Sequence, residues 1–358
     1  MKPLPRLAVL SALCLLAPGV SRALAATPLP PIPEDGLRIA TWNVENFFDA
    51  VDDPKNPGDD EFTPGSWRRW TDERYQAKTR NLAEAIAALR PDVLFLCEVE
   101  NRDVLTNLVH ALESLPAPHP MPYIAHEESD SNRGIDVAIL SRHPLRDIVL
   151  HKPVPNMRGI LEATAEIPNA PALLLACHWK SRVGNRDENI AIRQREATAV
   201  RTLLLERLAA DPDLSFFVGG DFNDDCTDDS VRLGLGAVVD RAALAAPKGA
   251  DVLFYDLIGD IPEKDRGSYY YARTRSWNTY DAIVVPPGAA IERDGEEPAW
   301  RIPAASPHAG VFKPANGTDD QGRPMPFRRV RRKDGTDQFM NGCSDHFPIW
   351  ADFVRAEP

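Results

Sequence analysis

Six short apolar runs along the chain each carry polar residues at one end. In LRIATWNVEN, residues 37–46, the apolar stretch reaches Trp42 and gives way to Asn43, Glu45 and Asn46. DVLFLCEVEN (92–101) turns polar at Glu98, ALLLACHWKSR (172–182) at His178, Lys180 and Arg182, and LSFFVGGDFNDD (214–225) at Asp221 and Asn223 after two glycines. Two runs reverse the order: Asp281 begins DAIVV, and Asp345 and His346 precede FPIWADF. Short apolar runs bounded by turn residues predict buried strands. Between the first two, TDERYQAKTRNLAEAIAALRP (71–91) predicts a helix capped by Thr71, with Tyr75, Leu82, Ile86 and Leu89 on one face. NIAIRQREATAVRTLLLERLAA (189–210) predicts a second amphipathic helix. Helices alternating with strands imply a layered α/β protein.

The placement of the polar ends sharpens this picture. If the two runs that start polar lie antiparallel to the four that end polar, all six ends meet on one rim. Each feature alone has a plain structural explanation: a glutamate closing a strand is usually a solvated turn residue, GGDFN reads as an Asx-rich turn, and a lone histidine is usually structural. Six strand ends carrying asparagine, glutamate, histidine, aspartate with asparagine, aspartate, and aspartate with histidine are not a set of independent accidents. Burying Asp345 and His346 beside an apolar run also costs several kcal/mol unless partners or a metal receive them.

Composition sets the frame. The 358 residues contain no internal repeat or long low-complexity tether, which predicts one domain over 36–356, and the 33 prolines fall mostly outside the apolar runs, as stiff surface loops require. Lys2 and Arg6 precede LAVLSALCLLAPGV, and ALA at 23–25 offers a small-residue cleavage site, so residues 1–25 read as a secretory signal and the protein as periplasmic or secreted. That run is too short to span a bilayer. Removing it takes away Lys2, Arg6 and Arg22 and no acid, moving the formal charge from −12 to −15. This balance disfavours general adhesion to nucleic acid or anionic membrane but permits a local basic groove. The remaining cysteines, Cys97, Cys177, Cys226 and Cys343, have no zinc-like spacing. Cys97 and Cys177 lie in strand-like runs and read as buried thiols. Cys226 and Cys343 lie on loops whose ends converge, and a disulfide between them is expected.

The stretches WNVEN, CEVEN, ACHWK, GGDFND, NTYDAIVV and CSDHFPI resemble, in order, the motifs of the endonuclease/exonuclease/phosphatase superfamily, which includes deoxyribonucleases, apurinic endonucleases, sphingomyelinases and inositol-polyphosphate phosphatases. The resemblance implies a four-layer sandwich, two mixed sheets face to face with helices outside, and metal-dependent cleavage of phosphate esters. It assigns Asn43, Glu45, Glu98 and Asp345 to the metal; their oxygen donors suit magnesium first, then manganese or calcium. It gives catalytic roles to His178, Asp221, Asn223, Asp281 and His346. Protonated His178 is expected to donate to phosphate oxygens, and His346, oriented by Asp281, to act as base or base relay, with Asp221 the competing candidate.

Arg133, Asp136, Lys180 and Arg182 are candidates for lining a phosphate groove, and scaffold ion pairs explain any one of them about as well. In FRRVRRKDG (327–335), Asp334-Gly335 predicts a hairpin turn, and alternation places Arg329, Arg331 and Lys333 on one face toward the substrate, or else on a charged protected edge. The expected substrate is DNA or RNA. The alternatives are a lipid headgroup or small phosphodiester and, from another class, a non-catalytic binding protein of the same fold. Trp67, Trp70 and SYYYAR are the aromatics available for a lipid surface, without stable membrane insertion, and no protein partner is inferred.

Overall fold

The structure, a computed structural model, describes residues 28–245, 253–293 and 295–356; the predicted signal segment lies outside them. Along the chain come β1 (Leu37–Phe47), α1 (Asp72–Leu89), β2 (Val93–Val99), α2 (Arg102–Glu113), β3 (Tyr123–His126) and β4 (Asp136–Ser141). Then follow β5 (Leu145–His151), β6 (Ile160–Ala165), β7 (Ala172–His178), α3 (Arg186–Ala210), β8 (Phe216–Asp221), β9 (Ala237–Val238) and β10 (Phe254–Asp256). The hairpin β11 (Tyr269–Tyr271) and β12 (Ser276–Asn278) leads to β13 (Asp281–Val285), β14 (Trp300–Arg301) and β15 (Ala309–Val311). A ribbon of β16 (Phe327–Arg331) and β17 (Asp337–Asn341) precedes β18 (Ile349–Arg355). One sheet is ordered β14-β18-β1-β2-β4-β3, with β15 also on β18; the other is β5-β6-β7-β8-β13-β10-β9.

Alternation along the central strands explains why their sequences read as unbroken apolar runs: both faces are covered. Leu37 and Ile39 of β1, Val93, Phe95 and Cys97 of β2, Leu174 and Ala176 of β7 and Phe217 of β8 share the layer between the sheets. Ala40, Trp42, Val44, Leu94 and Leu96 turn the other way, onto α1 and α2. Leu173, Leu175, Phe216 and Val218 pack with the α3 residues Ala197, Val200 and Leu204. The result is the expected two mixed sheets face to face. Thr71 caps α1 as predicted, accepting from the Arg74 amide. Helix α2 was not anticipated: Asn101, which looks like part of the polar end of β2, is its N-cap and accepts from Asp103 and Val104.

The first glycine of GGD serves this packing. A Cβ on Gly219 would lie 2.1 Å from the Phe95 ring of the facing sheet, so the sheets approach this closely only with glycine there. Gly219→Ala is expected to cost about 1–3 kcal/mol, the scale of an overpacked core, read as a lower denaturation midpoint.

The expected Cys226–Cys343 disulfide does not form; all four described cysteines are free. Both loops reach the same rim, but from opposite sheets. The Cys343 thiol is buried on the α1 side, 3.4 Å from Asn316 Oδ1, whereas Cys226 packs against the layer between the sheets.

Candidate active site

Register delivers the first half of the site. β7 runs parallel to β8 and β13 antiparallel, so His178, Asp221 and Asp281 stand side by side in one row, His178 against Asp221 and Asp281 against Asp221. All three have the parity of the residues facing between the sheets. In the other sheet Asn43 shares that parity, but Glu98 does not. A bulge corrects it: the β1–β2 and β2–β4 registers shift after Asn43 and Cys97, and Glu45, Glu98 and Asn46 adopt left-handed φ values of 52°, 66° and 51°. Non-glycine residues rarely take this conformation, and here it re-aims Glu98 into the shared layer. Asn43 Nδ2 then donates to Glu98 Oε1 (3.1 Å) and to Asp221 Oδ2 (2.9 Å), stitching the sheets together across the site.

The residues ahead of β18 close the other side. Ser344 Oγ donates to the Asn43 carbonyl (2.6 Å) and accepts from the His346 amide (3.0 Å), while Trp42 Nε1 donates to the His346 carbonyl. The His346 ring is held by Asp281 Oδ2 at 2.8 Å, an oxygen that also accepts from Ser268 Oγ. The His178 and His346 Nε2 atoms point to Asp221 Oδ2 from 3.7 and 3.9 Å.

These surroundings set opposite charge states on the two imidazoles. Burial, with the Arg158 and His346 charges adding to it, holds His178 well below its ordinary value, so it is neutral; the expectation of a protonated His178 is not met. Burial also opposes a charge on His346, but the Asp281 carboxylate outweighs it and, with Asp221 and Asp345, holds the imidazole well above its usual range. Burial, reinforced by Asp281, pushes the Asp221 carboxyl up to about 7.

The remaining candidates divide into those near the cluster and those held away. Glu45 Oε2 accepts from the Phe327 amide, and Arg328 bridges Glu45 (3.3 Å) and Asp345 (3.6 Å). Burial, then the nearby Asp345, raises the Glu45 carboxyl to about 7. Arg133 donates to Asn46 Oδ1, next to Glu98. Asn223 is beside the site, but its amide nitrogen donates to the Trp179 carbonyl. Arg182 is taken up by Asp224 and Asp228 at the rim, the backbone of Lys180 is fixed by Glu196 and Arg193, and Asp136 is buried on His126. The basic ribbon turns the opposite way from that expected: Arg329 and Arg331 both pair with Asp337, and Arg328 is the residue that reaches the carboxylates. Asp337 lies directly across from Arg331 in the ribbon, a cross-strand partner that period-2 alternation on a single strand does not reveal.

Three contributors were missed. Lys78 of α1 is fully buried and donates to the Glu45 carbonyl; burial lowers it to about 8 against the pull of Glu45, Glu98 and Asp345. Arg158 donates to the His178 and Trp179 carbonyls. Tyr269 lies against the His346 ring at 4.7 Å. Lys78 had a usable signal, a lysine whose helical position follows Tyr75 and precedes Leu82 on the buried face; Tyr269 lies in SYYYAR, read above only as a lipid-surface candidate, and Arg158 had no signal.

For a metal the donor chemistry suits a hard divalent ion: Asn43, Glu45, Glu98 and Asp345 offer only oxygen, and Arg328 is drawn to two of the carboxylates, Glu45 and Asp345. Asp221, Asp281 and His346 form a second group whose ligand atoms lie within 4.8 Å of one another.

Residues 38–355 match the Endonuclease/Exonuclease/phosphatase family. The chain belongs to this family. Its members are hydrolases acting on phosphodiester bonds. No curated protein matches the chain significantly. Among solved structures, endonuclease/exonuclease/phosphatase from Beutenbergia cavernae has the same fold, with a TM-score of 0.54 at 16% identity over 90% of this chain and 72% of that one. TDP2 from Caenorhabditis elegans gives 0.51 at 16% identity over 89% and 75%, and beta toxin from Staphylococcus aureus 0.51 at 14% over 88% and 99%. At such identities the likeness is one of fold. Among the described residues no helix is long and apolar enough to cross a membrane.

Proposed function

We propose that the protein is an exported, divalent-metal-dependent phosphodiesterase that cleaves DNA or RNA strands. The reading rests on one observation: Asn43, His178 and His346 converge on Asp221 Oδ2, with Glu98 held by Asn43 and Asp281 by His346, so that residues from both sheets form one cluster. A magnesium-type ion on Glu98, Asn43, Glu45 and Asp345 would supply Lewis-acid stabilisation of charge on the phosphoryl oxygens.

The chain's own groups handle the protons. With Nδ1 engaged by Asp281, His346 exchanges protons through Nε2, which faces Asp221 Oδ2. A proton leaving the attacking water as its oxygen bonds to phosphorus is taken up by the Asp221–His346 pair, whose two sites titrate together. The same pair returns it to the oxygen released when the P–O bond breaks. The neutral His178, through Nε2, is placed as a hydrogen-bond donor to the equatorial oxygens, while Asn43 Nδ2, with both hydrogens engaged, holds Glu98 and Asp221 in position.

Support for a nucleic-acid substrate comes from the aromatics beyond His346. Tyr269 stacks on Tyr280 at 5.5 Å and on Tyr271 at 6.5 Å, Tyr271 and Trp277 are exposed, and Arg273 and Arg275 occupy the hairpin turn. Bases stack on such rings for about 1–3 kcal/mol each. Tyr271→Ala is therefore expected to raise the Michaelis constant for single-stranded DNA or RNA roughly 5- to 150-fold, leaving turnover of a small bis-phosphodiester unchanged. If wild-type protein cleaves sphingomyelin vesicles but neither nucleic acid, the substrate assignment falls and the aromatic hairpin belongs to lipid contact. Arg328→Gln should raise the Michaelis constant of any anionic diester about tenfold, the effect of one charge-assisted hydrogen bond, while Arg331→Gln leaves it unaltered; steady-state kinetics separate them.

A further inference from the structure

The loop that leaves β1 carries chemistry the reaction does not use. Residues 49–61, DAVDDPKNPGDDE, contain six acids and a single base, Lys55. The loop is firmly built. Phe62 stacks on Phe48 at 4.0 Å and meets Trp70 edge-on, and successive turns run from Asp53 to Asn56 (2.8 Å), Asn56 to Asp59 (3.1 Å) and Asp59 to Phe62 (2.6 Å). They bring ligand oxygens of Asp52, Asp59 and Asp60 within 4.8 Å of one another. Among the described residues no lysine or arginine forms an ion pair with any of the three. Asp59 is 1% exposed; its Oδ2 accepts from the Asp53 amide at 2.7 Å, and its Oδ1 is buried with no hydrogen-bond partner.

We propose that Asp52, Asp59 and Asp60 hold a divalent cation of the calcium type, with the buried Asp59 Oδ1 as its inward ligand, at a site separate from the catalytic carboxylates. A buried carboxylate oxygen without a donor is costly, and a cation supplies the partner that the protein does not. Carboxylates on a turning loop, with backbone carbonyls nearby, suit calcium, which takes six to eight oxygens in adaptable geometry, better than the strict octahedron of magnesium.

The site bears on catalysis through packing. A Cβ on Gly58 would fall 2.2 Å from the Arg133 carbonyl, and Asn56 Nδ2 donates to the Gly134 carbonyl, so this loop buttresses the segment carrying Arg133 toward Asn46. A cation that fixes the loop fixes that segment.

Calcium binding to the full chain, measured by calorimetric titration and by Tm, tests this in wild type, in an Asp52→Asn/Asp60→Asn double variant and in Glu98→Gln. Asp52 and Asp60 are exposed, so their exchange does not threaten the fold. Wild type and Glu98→Gln are expected to bind one calcium equivalent that the double variant lacks. At a hundredfold excess over Kd their Tm should rise by about 4 °C more than that of the double variant. Calcium uptake that survives in the double variant and vanishes in Glu98→Gln would place the ion at the catalytic carboxylates and overturn the proposal, as would a wild type whose Tm does not respond to calcium.

Discussion

Asp221→Asn is expected to lower turnover at least ~100-fold while leaving the protein folded. Its Oδ2 is the atom on which Asn43, His178 and His346 converge, and its Oδ1 accepts from the Asn223 amide. The amide keeps the shape and one acceptor but loses the charge, so His346 loses a carboxylate neighbour and the water loses a proton acceptor. Stability should move the other way. Because burial raises the Asp221 carboxyl in the folded state to about 7, the native protein binds more protons than the unfolded chain between roughly pH 4 and 7, and stability falls as pH rises through that window. Asp221→Asn removes this contribution, so its Tm at pH 8 is expected to equal or exceed that of wild type. A variant that is both inactive and markedly less stable at pH 8 would show that Asp221 is a structural residue.

Glu98→Gln and chelation should each abolish turnover, and only one should be reversible. The oxygen donors at the first-sheet end of the site include no thiolate, so a bound ion exchanges readily and a chelator removes it. Magnesium restored to the wild type should recover full activity, whereas Glu98→Gln, lacking the carboxylate that the bulge turns inward, should stay at least ~100-fold below it at any accessible magnesium concentration. Undiminished hydrolysis after exhaustive chelation and dialysis excludes the metal assignment.

Much of this arrangement was legible in the chain because the strands and the site follow one rule. Runs buried on both faces end where the polar residues begin, so the apolar pattern located the strands and their ends located the site. Strand direction then followed from where the polar groups fall, and the parallel β7–β8 and antiparallel β8–β13 pairings match it. What stayed hidden depends on contacts between distant segments. Arg329 finds Asp337 only when the ribbon folds back, which reverses the face presented to the substrate. The charge of His178 depends on its burial and then on Arg158, twenty residues away on another strand's approach, and nothing in ACHWK announces either. Glu98 has the wrong parity for the site on a regular strand, so alternation alone cannot account for its position; the left-handed bulge does. The cysteine loops illustrate the converse, since convergence on one rim does not place two thiols on the same side of a sheet.

The most direct measurement is release of nitrophenol from bis(4-nitrophenyl) phosphate by the purified protein with magnesium, with excess chelator, and with Asp221→Asn in place of wild type. Hydrolysis by wild type is expected to require the metal and to fall at least ~100-fold in the variant. Equal rates from wild type and variant, or a wild type inert toward this diester and toward DNA and RNA, would exclude Asp221-centred phosphodiester hydrolysis.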